Sequence, residues 1–246
     1  MIFLLDIKYL RGRREAFLPL LSMRRRRSAL AKRTETGFLH TAAAGLLLRF
    51  AGIREDEEVL LLDGGKPVLR DGCFAVIPET VFPEEAEHCF SCFSLSHGGD
   101  FAALALAERP VGTDVEKISE CRLSVAKTAF TEKEIAWAVQ FPADGKERDK
   151  NECEVRAGTV GCPVRNPLLN PERFYAVWTM KESILKTDGR GITVPLRSVD
   201  VFSNPVKADY RIYKGHSVAC ASESGPDMRI REIGAPEMEM IFNKSK

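Results

Sequence analysis

The chain's 246 residues carry 36 Lys and Arg against 35 Asp and Glu, a formal charge of +1, which argues against a wholesale polyanion binder, because such domains are strongly basic overall. That length buries a good core in one domain or two small ones. Seven cysteines at irregular spacing, with no signal peptide ahead of them, fit a reducing cytoplasm better than a disulfide framework; the apolar opening Met1 to Leu5, interrupted by Asp6 and Lys8, is too short for a membrane span, so a soluble protein is expected.

Met1 to Leu10 reads as a strand. Between Lys8 and Arg33 ten basic residues (Lys8, Arg11, Arg13, Arg14, Arg24, Arg25, Arg26, Arg27, Lys32 and Arg33) stand against Glu15 alone, and this segment leads into an apolar helix around Thr41 to Phe50. Glu58 to Leu62 and Lys66 to Leu69 flank Asp63-Gly64-Gly65, a hairpin signal because glycine supplies the positive φ that such turns need. A second hairpin, Cys89 to Leu95 and Phe101 to Leu106, turns at Ser96-His97-Gly98-Gly99-Asp100. Cys89 and Cys92 have no matching second pair and read as core thiols rather than zinc ligands or a redox pair.

Arg109-Pro110 separates the halves, and Asp114 opens the second one on a strand. Ser119 to Thr128 and Thr131 to Gln140 read as helices, the second begun by a Thr131/Glu134 capping box. Phe141 to Asn170, rich in charge, glycine and proline, reads as a mobile insert. Asn170-Pro171 is a helix start, an N-cap followed by proline at the first helical position; Phe174, Val177, Trp178, Lys181 and Leu185 fall on one face, and Gly189 ends the helix. Val199 to Val201, Tyr210 to Tyr213, Ser217 to Ala221 and Met228 to Ile233 complete a sheet.

Two of these elements carry chemistry. In Gly112-Thr113-Asp114-Val115-Glu116 residues two apart share a face, so Asp114 and Glu116 present two carboxylates side by side. On the helix, Trp178, Glu182 and Lys186 lie four apart and line one flank. Mg²⁺ takes oxygen ligands and keeps waters and phosphate in its shell, so carboxylates beside lysines point to phosphate chemistry. Taken singly, Asp114 and Glu116 read as a polar strand face, Glu182 and Lys186 as a surface ion pair, and Trp178 as the anchor of its helix against the sheet. Lys181 is the oddity, since it falls within the apolar face; its stem can pack there while its ammonium reaches out to phosphate or carboxylate.

Together with Gly65-Lys66-Pro67, Phe93-Ser94-Leu95-Ser96-His97, Phe130-Thr131-Glu132-Lys133-Glu134, Trp178-x-x-Lys181-Glu182-Ser183-x-x-Lys186 and Gly189-Arg190-Gly191, the strand motif resembles, in order and spacing, the larger, pseudo-dimeric class of 4'-phosphopantetheinyl transferases. The resemblance runs nearly end to end. It implies an α+β fold of two similar α/β halves in a pseudo-twofold arrangement, residues 1–109 with the coenzyme A contacts and residues 110–246 with the metal site and catalytic helix, the active site lying in the cleft between them. It implies transfer of the 4'-phosphopantetheine arm of coenzyme A to a serine of an acyl, aryl or peptidyl carrier protein, releasing adenosine 3',5'-bisphosphate.

On that resemblance Asp114, Glu116 and Glu182 hold Mg²⁺, with Mn²⁺ as a substitute. Ser96, His97, Lys181 and Lys186 meet coenzyme A phosphates, and Lys66 meets the nucleotide or its 3'-phosphate. An arginine from Arg24 to Arg27, Arg25 among them, clamps the 3'-phosphate. The base that takes the serine proton is Glu182, directly or through water, or Glu134. A cytoplasmic monomer that binds neither nucleic acid nor membrane is expected. The chain departs from the family pattern in having His40-Thr41-Ala42-Ala43-Ala44 where an arginine is expected near the helix start, and in its long 141–170 stretch.

Two other classes compete. Asp114, Glu116 and Lys117 loosely imitate a metal-dependent nuclease, against which stand the neutral overall charge and the lack of aromatic residues among the arginines. A non-catalytic nucleotide- or RNA-binding module leaves the three carboxylates unexplained, since negative charge beside phosphate is unfavourable without a cation.

Overall fold

The computed structural model describes residues 1–62, 65–77, 89–139, 169–189 and 194–243. The expected insert, apart from its last two residues, lies outside that set, as do Asp63-Gly64 of the first turn and Arg190-Gly191.

The described residues form an α+β fold. In chain order they give β1 (Ile2–Asp6), α1 (Arg14–Phe17), α2 (Met23–Leu30), α3 (Glu35–Phe50), α4 (Glu55–Glu58), β2 (Val59–Leu61), β3 (Pro67–Leu69), β4 (Ala75–Val76), β5 (Cys89–Phe90), β6 (Cys92–Gly98), β7 (Phe101–Ala107) and β8 (Val111–Lys117). Then follow α5 (Leu123–Ala129), α6 (Glu132–Ala138), α7 (Pro171–Asp188), β9 (Lys207–Tyr213), β10 (His216–Ser222), β11 (Ile230–Ile233) and α8 (Ala235–Asn243).

Among the described residues, one sheet has the strand order β11-β1-β7-β6 and another the order β8-β10-β9. The period of two along the strands decides how these layers stack. Phe3 and Leu5 of β1, with Ala102, Leu104 and Leu106 of β7, pack with Leu39, Ala42, Ala43, Leu46 and Leu47 of α3. Their neighbours Ile2, Leu4, Phe101, Ala103 and Ala105 turn the other way and meet Val111, Val115, Val218 and Cys220 of the second sheet. Helix α7 covers that sheet's far side, where Ala176 and Met180 join Ala219, and Ile184 and Leu185 join Ala221.

Several boundaries differ from the sequence reading for local reasons. The first strand ends at Asp6 because its carboxylate accepts from the Lys8 N–H at 2.9 Å, and a 3₁₀ turn follows over Ile7–Leu10. The apolar helix starts earlier, at Glu35, capped by the Thr34 hydroxyl on the Gly37 N–H. Val199 to Val201 is no strand: the Val199 carbonyl accepts from Lys181 and the Val201 N–H donates to Glu134 at 2.9 Å, so side chains take the place of a ladder. The last strand joins the other sheet, pairing in parallel with β1, and it returns the chain to the α3 core, where Met238 and Ile241 of α8 are buried. Cys89 is exposed rather than a core thiol, and Cys92 is only partly buried, because the two-residue strand β5 pairs with β4 alone and leaves its Cys89 face open.

Candidate active site

Gly112 explains why the two motifs meet. A Cβ at that position would run into the Ser183 carbonyl oxygen and stand 2.7 Å from the Thr187 backbone nitrogen, so α7 lies on β8 only because glycine leaves room. The helix is fixed at both ends. The Asn170 side chain accepts from the Arg173 N–H with Pro171 in the first turn, and Gly189 closes it at φ 75°, a left-handed conformation that glycine adopts at low cost. Since α7 carries Glu182 and Lys186, and Asp114 and Glu116 share the β8 face that Gly112 opens, the two sets of charged groups are held against each other.

The centre of the site is a tight node. Asp114, 4 % exposed, accepts on Oδ1 from Lys186 Nζ at 2.6 Å and from the Ser96 hydroxyl at 2.7 Å. Lys186 also donates to Ser96 Oγ at 3.0 Å and to the Thr113 carbonyl at 3.1 Å. One strand from each sheet is thereby joined by side chains, since Ser94 of β6 likewise accepts from the Thr113 N–H at 3.1 Å. Asp114 Oδ2 is buried without a hydrogen-bond partner. A buried carboxylate oxygen left unpaired is costly, and a cation beside it would remove that cost.

Glu116 and Glu182 line the same cleft of about 680 Å³. Burial, and then repulsion from Asp114, push the Glu116 carboxyl up to about 7, with Glu182 adding to the effect and Lys186 opposing it. Burial and Asp114 raise Glu182 in the same way. Asp114, Glu116 and Glu182, with one lysine among them, are oxygen donors of the kind that a hard divalent ion takes. They are not closed into a finished shell: among the described residues no three Asp, Glu, His or Cys side chains are gathered closely enough to hold a metal, and the Lys186 ammonium rests on Asp114.

The opposite wall of the cleft is basic. Arg24 and Arg25 line it with Ser28, Ala44 and Glu55. Glu55, 6 % exposed, holds Arg25 through Nη2 at 2.5 Å and Nε at 3.2 Å, and Arg24 through Nη2 at 3.3 Å. Of the arginine run, Arg26 turns away to the Pro19 carbonyl at 3.0 Å. His97 is exposed toward the cleft, and the ring of His40 lies flat against it.

Three sequence expectations, for Lys181, Glu134 and Trp178, are corrected here. Lys181 does not reach outward: it is wholly buried, paired with Glu134 Oε2 at 2.7 Å and donating to the Leu196 carbonyl at 2.9 Å and to that of Val199. Glu134 is equally sealed, its oxygens also accepting from the Thr131 N–H at 2.6 Å and the Val201 N–H, so it has no lone pair facing the cleft with which to take a proton. Lys66 donates to the Thr187 carbonyl, where the exposed end of the α7 dipole draws a cation, and it lines a smaller cavity of about 210 Å³ beside the cleft. Trp178 borders the cleft with its ring stacked on Phe174 at 6.1 Å, because the sheet-facing positions of α7 need small or flexible side chains such as Ala176, Thr179 and Met180.

Sequence reading missed Glu55 and the part played by His40. The only available signals were a charged run, Glu55-Asp56-Glu57-Glu58, which ordinarily means a solvated turn, and a lone histidine in an apolar helix.

Residues 110–228, which contain Asp114, Glu116, Glu182 and Lys186, match the profile of the 4'-phosphopantetheinyl transferase superfamily. That stretch is just under half of the chain, and over it the chain is similar to that superfamily. It is 23 % identical over 166 residues to the 4'-phosphopantetheinyl transferase gsp of Aneurinibacillus migulanus, covering 61 % of this chain and 60 % of that protein. To Sfp of Bacillus subtilis strain 168 it is 30 % identical over 109 residues, 44 % of this chain and 38 % of Sfp. The alignment with psf-1 of Bacillus pumilus is longer, 26 % identity over 200 residues, 79 % of this chain and 69 % of the relative. The matches thus span less than two thirds of the length of gsp and of Sfp.

Proposed function

We propose that this protein transfers the 4'-phosphopantetheine arm of coenzyme A to a serine hydroxyl of an apo carrier protein and releases adenosine 3',5'-bisphosphate. The observation that carries the reading is the Asp114–Ser96–Lys186 node, with its unpaired Asp114 Oδ2 beside Glu116 and Glu182 and a basic wall opposite. Asp114, Glu116 and Glu182 would hold Mg²⁺ or Mn²⁺, which supplies Lewis-acid neutralisation of the pyrophosphate when bound. Lys186, already between Asp114 and Ser96, and His97 would add positive charge to the α- and β-phosphates, offsetting the charge that grows on the leaving phosphate as its bridging bond breaks. Arg24 and Arg25 line the cleft while held by Glu55, and arginine is the side chain that suits a terminal phosphate. Glu134 being sealed, the half-buried Glu182 is left as the group that takes the serine proton, directly or through water.

The cleft lies where the α3-covered sheet meets the α7-covered sheet, and a pseudo-twofold relation between residues 1–109 and 110–246 is part of the same proposal. So are a monomeric state, a cytoplasmic location and docking of the carrier protein across the cleft mouth. No helix among the described residues is long and apolar enough to cross a membrane. The test is incubation with coenzyme A, Mg²⁺ and an apo acyl or peptidyl carrier protein. A carrier mass raised by one phosphopantetheine is the expected result, and an unchanged carrier with an intact, coenzyme A-bound enzyme would remove the transfer reading.

A further inference from the structure

The turn that closes the β6–β7 hairpin is pressed onto the second sheet at two glycines. A Cβ on Gly98 would stand 2.1 Å from the Val115 carbonyl oxygen and 3.1 Å from Glu116 Oε2, and one on Gly99 would stand 2.4 Å from His216 Nε2 and 2.5 Å from Lys117 Cβ. The backbone of the turn thus lies directly against the end of β8 that carries Glu116. Its polar groups are engaged from three directions. His40 of α3 donates from Nε2 to the Gly99 carbonyl at 3.0 Å, the Ile7 N–H donates to the Asp100 carbonyl at 2.9 Å, and the Asp100 N–H donates to His216 Nε2 at 3.1 Å. Of these three grips, the last is the one that comes from the second sheet.

His216 opens β10, 1 % exposed, opposite Lys117 and next to Ser217, which pairs with Glu116. A backbone N–H only donates, so Nε2 carries no proton in this arrangement, and Nδ1 donates to the Lys214 carbonyl at 2.9 Å. Phe101 meets the ring edge-on, with centroids 4.9 Å apart and planes at 81°. The Asp100 carboxylate, 3.6 Å from Nε2, is itself held by Lys117 at 2.9 Å. With both nitrogens engaged and the ring sealed, His216 acts on the cleft through the turn. We propose that His216 is a positioning residue of the active site: by holding the Asp100 N–H it keeps the glycine turn seated on β8, and so fixes Ser96, two residues before Gly98, against the Asp114 and Glu116 carboxylates. The Ser96 hydroxyl meets Asp114 Oδ1 at 2.7 Å, and a misplacement of about 1 Å in such a site costs on the order of 10²-fold in rate. This rests on the reading that these carboxylates serve phosphopantetheine transfer.

Nitrogen NMR of the full chain reads the ring directly: the His216 proton should sit on Nδ1, and a proton found on Nε2 overturns the proposal. Two variants then separate the hydrogen bond from the packing. His216→Phe keeps an aromatic ring beside Phe101 without an acceptor, whereas His216→Gln supplies an amide oxygen in its place. Each is followed by hydrogen exchange at the Asp100 amide and by transfer kinetics on an apo carrier protein, with circular dichroism as the folding control. His216→Phe should speed Asp100 exchange by about tenfold or more and lower kcat roughly 10- to 100-fold, with KM for the carrier little changed, and His216→Gln should restore both. Unchanged kcat in a folded His216→Phe overturns the proposal. Should that variant fail to fold, His216→Gln decides: Asp100 protection and kcat must be kept together or lost together, and a change in one without the other overturns the proposal. An active wild type whose kcat ignores the loss of Asp100 protection removes this proposal alone, whereas a wild type that binds coenzyme A and transfers nothing removes the transfer reading and the positioning role with it.

Discussion

Helix α7 carries two lysine–carboxylate pairs five positions apart, and their difference separates architecture from chemistry. Around Lys181 and Glu134 every charged atom is matched: both side chains are sealed, and four further bonds to backbone groups of two segments complete the pair. Around Lys186 and Asp114 the match is deliberately short by one oxygen, since Asp114 Oδ2 is buried and unpaired, with two more carboxylates nearby. A satisfied buried pair fixes a structure, while an unsatisfied one stores a demand for a ligand.

The largest expected effect falls on the unsatisfied pair. Asp114→Ala should leave the fold intact and lower the transfer rate on the order of 10³-fold or more, the scale of a lost metal-centred stabilisation. EDTA should reproduce the loss in the wild type, and added Mg²⁺ should reverse it. Appreciable turnover in the variant, measured by carrier mass with circular dichroism as the folding control, would sink the metal reading.

The sealed pair should respond in the opposite manner. Lys181→Met leaves Glu134 charged, buried and unpaired, which costs about 3–5 kcal/mol of stability, yet transfer per folded molecule should change little. The double variant Lys181→Met/Glu134→Leu should recover much of that stability, because replacing a whole buried pair with apolar groups is often neutral. Denaturant titrations of the three proteins check this. A Lys181→Met protein of normal stability with lost coenzyme A affinity would return Lys181 to the site.

Gly112 is what brings the second pair onto its strand. Gly112→Ala should cost about 1–3 kcal/mol as overpacking and should also reduce turnover, because Glu182 and Lys186 both ride on the displaced helix. If stability falls while kcat/KM of the folded protein stays normal, α7 is not held to the tolerance argued here.

How much of this was legible depended on whether the deciding interaction was local. The caps of α7, Asn170-Pro171 and Gly189, are near neighbours of the residues they satisfy, and they stand where the letters place them. The shared face of Asp114 and Glu116 follows from strand geometry alone. Lys181 was misread because its partner sits on α6, far along the chain, and snorkelling and burial look alike until that partner is placed. The contact of Lys66 with the Thr187 carbonyl was equally hidden, because that helix-end acceptor is supplied by packing. The strand pattern of Ile230–Ile233 was visible, but not which sheet it joins, since alternation encodes faces rather than neighbours. Glu55 looked like solvated charge until two arginines closed over it.

The basic wall permits a finer comparison within one run of letters. Arg25→Ala should weaken coenzyme A by roughly tenfold, the scale of one charge-assisted hydrogen bond, and should weaken dephospho-coenzyme A less. Arg26→Ala, at a residue that turns away from the cleft to the Pro19 carbonyl, should alter neither affinity. Equal losses for both ligands in Arg25→Ala would make the wall a general electrostatic surface.

Asp227 extends the comparison to a carboxylate that is satisfied but partly exposed, and its effect should be the smallest. Burial alone would raise its pKa, but the Arg229 guanidinium, 2.7 Å away, and the Arg229 N–H overcome this and leave the carboxyl at about 2 against an ordinary 3.8. A folded-state value below the unfolded one means that the unfolded chain binds more protons between those two values. The stabilisation is therefore present above about pH 4 and is lost as pH falls toward 2. With the side chain 38 % exposed, solvent screening reduces it to about 1 kcal/mol. Asp227→Asn should accordingly lower stability slightly at pH 7, converge with the wild type near pH 2, and leave transfer unchanged; a variant that stays less stable by the same amount at pH 2 would show that Asp227 acts through packing rather than through its charge.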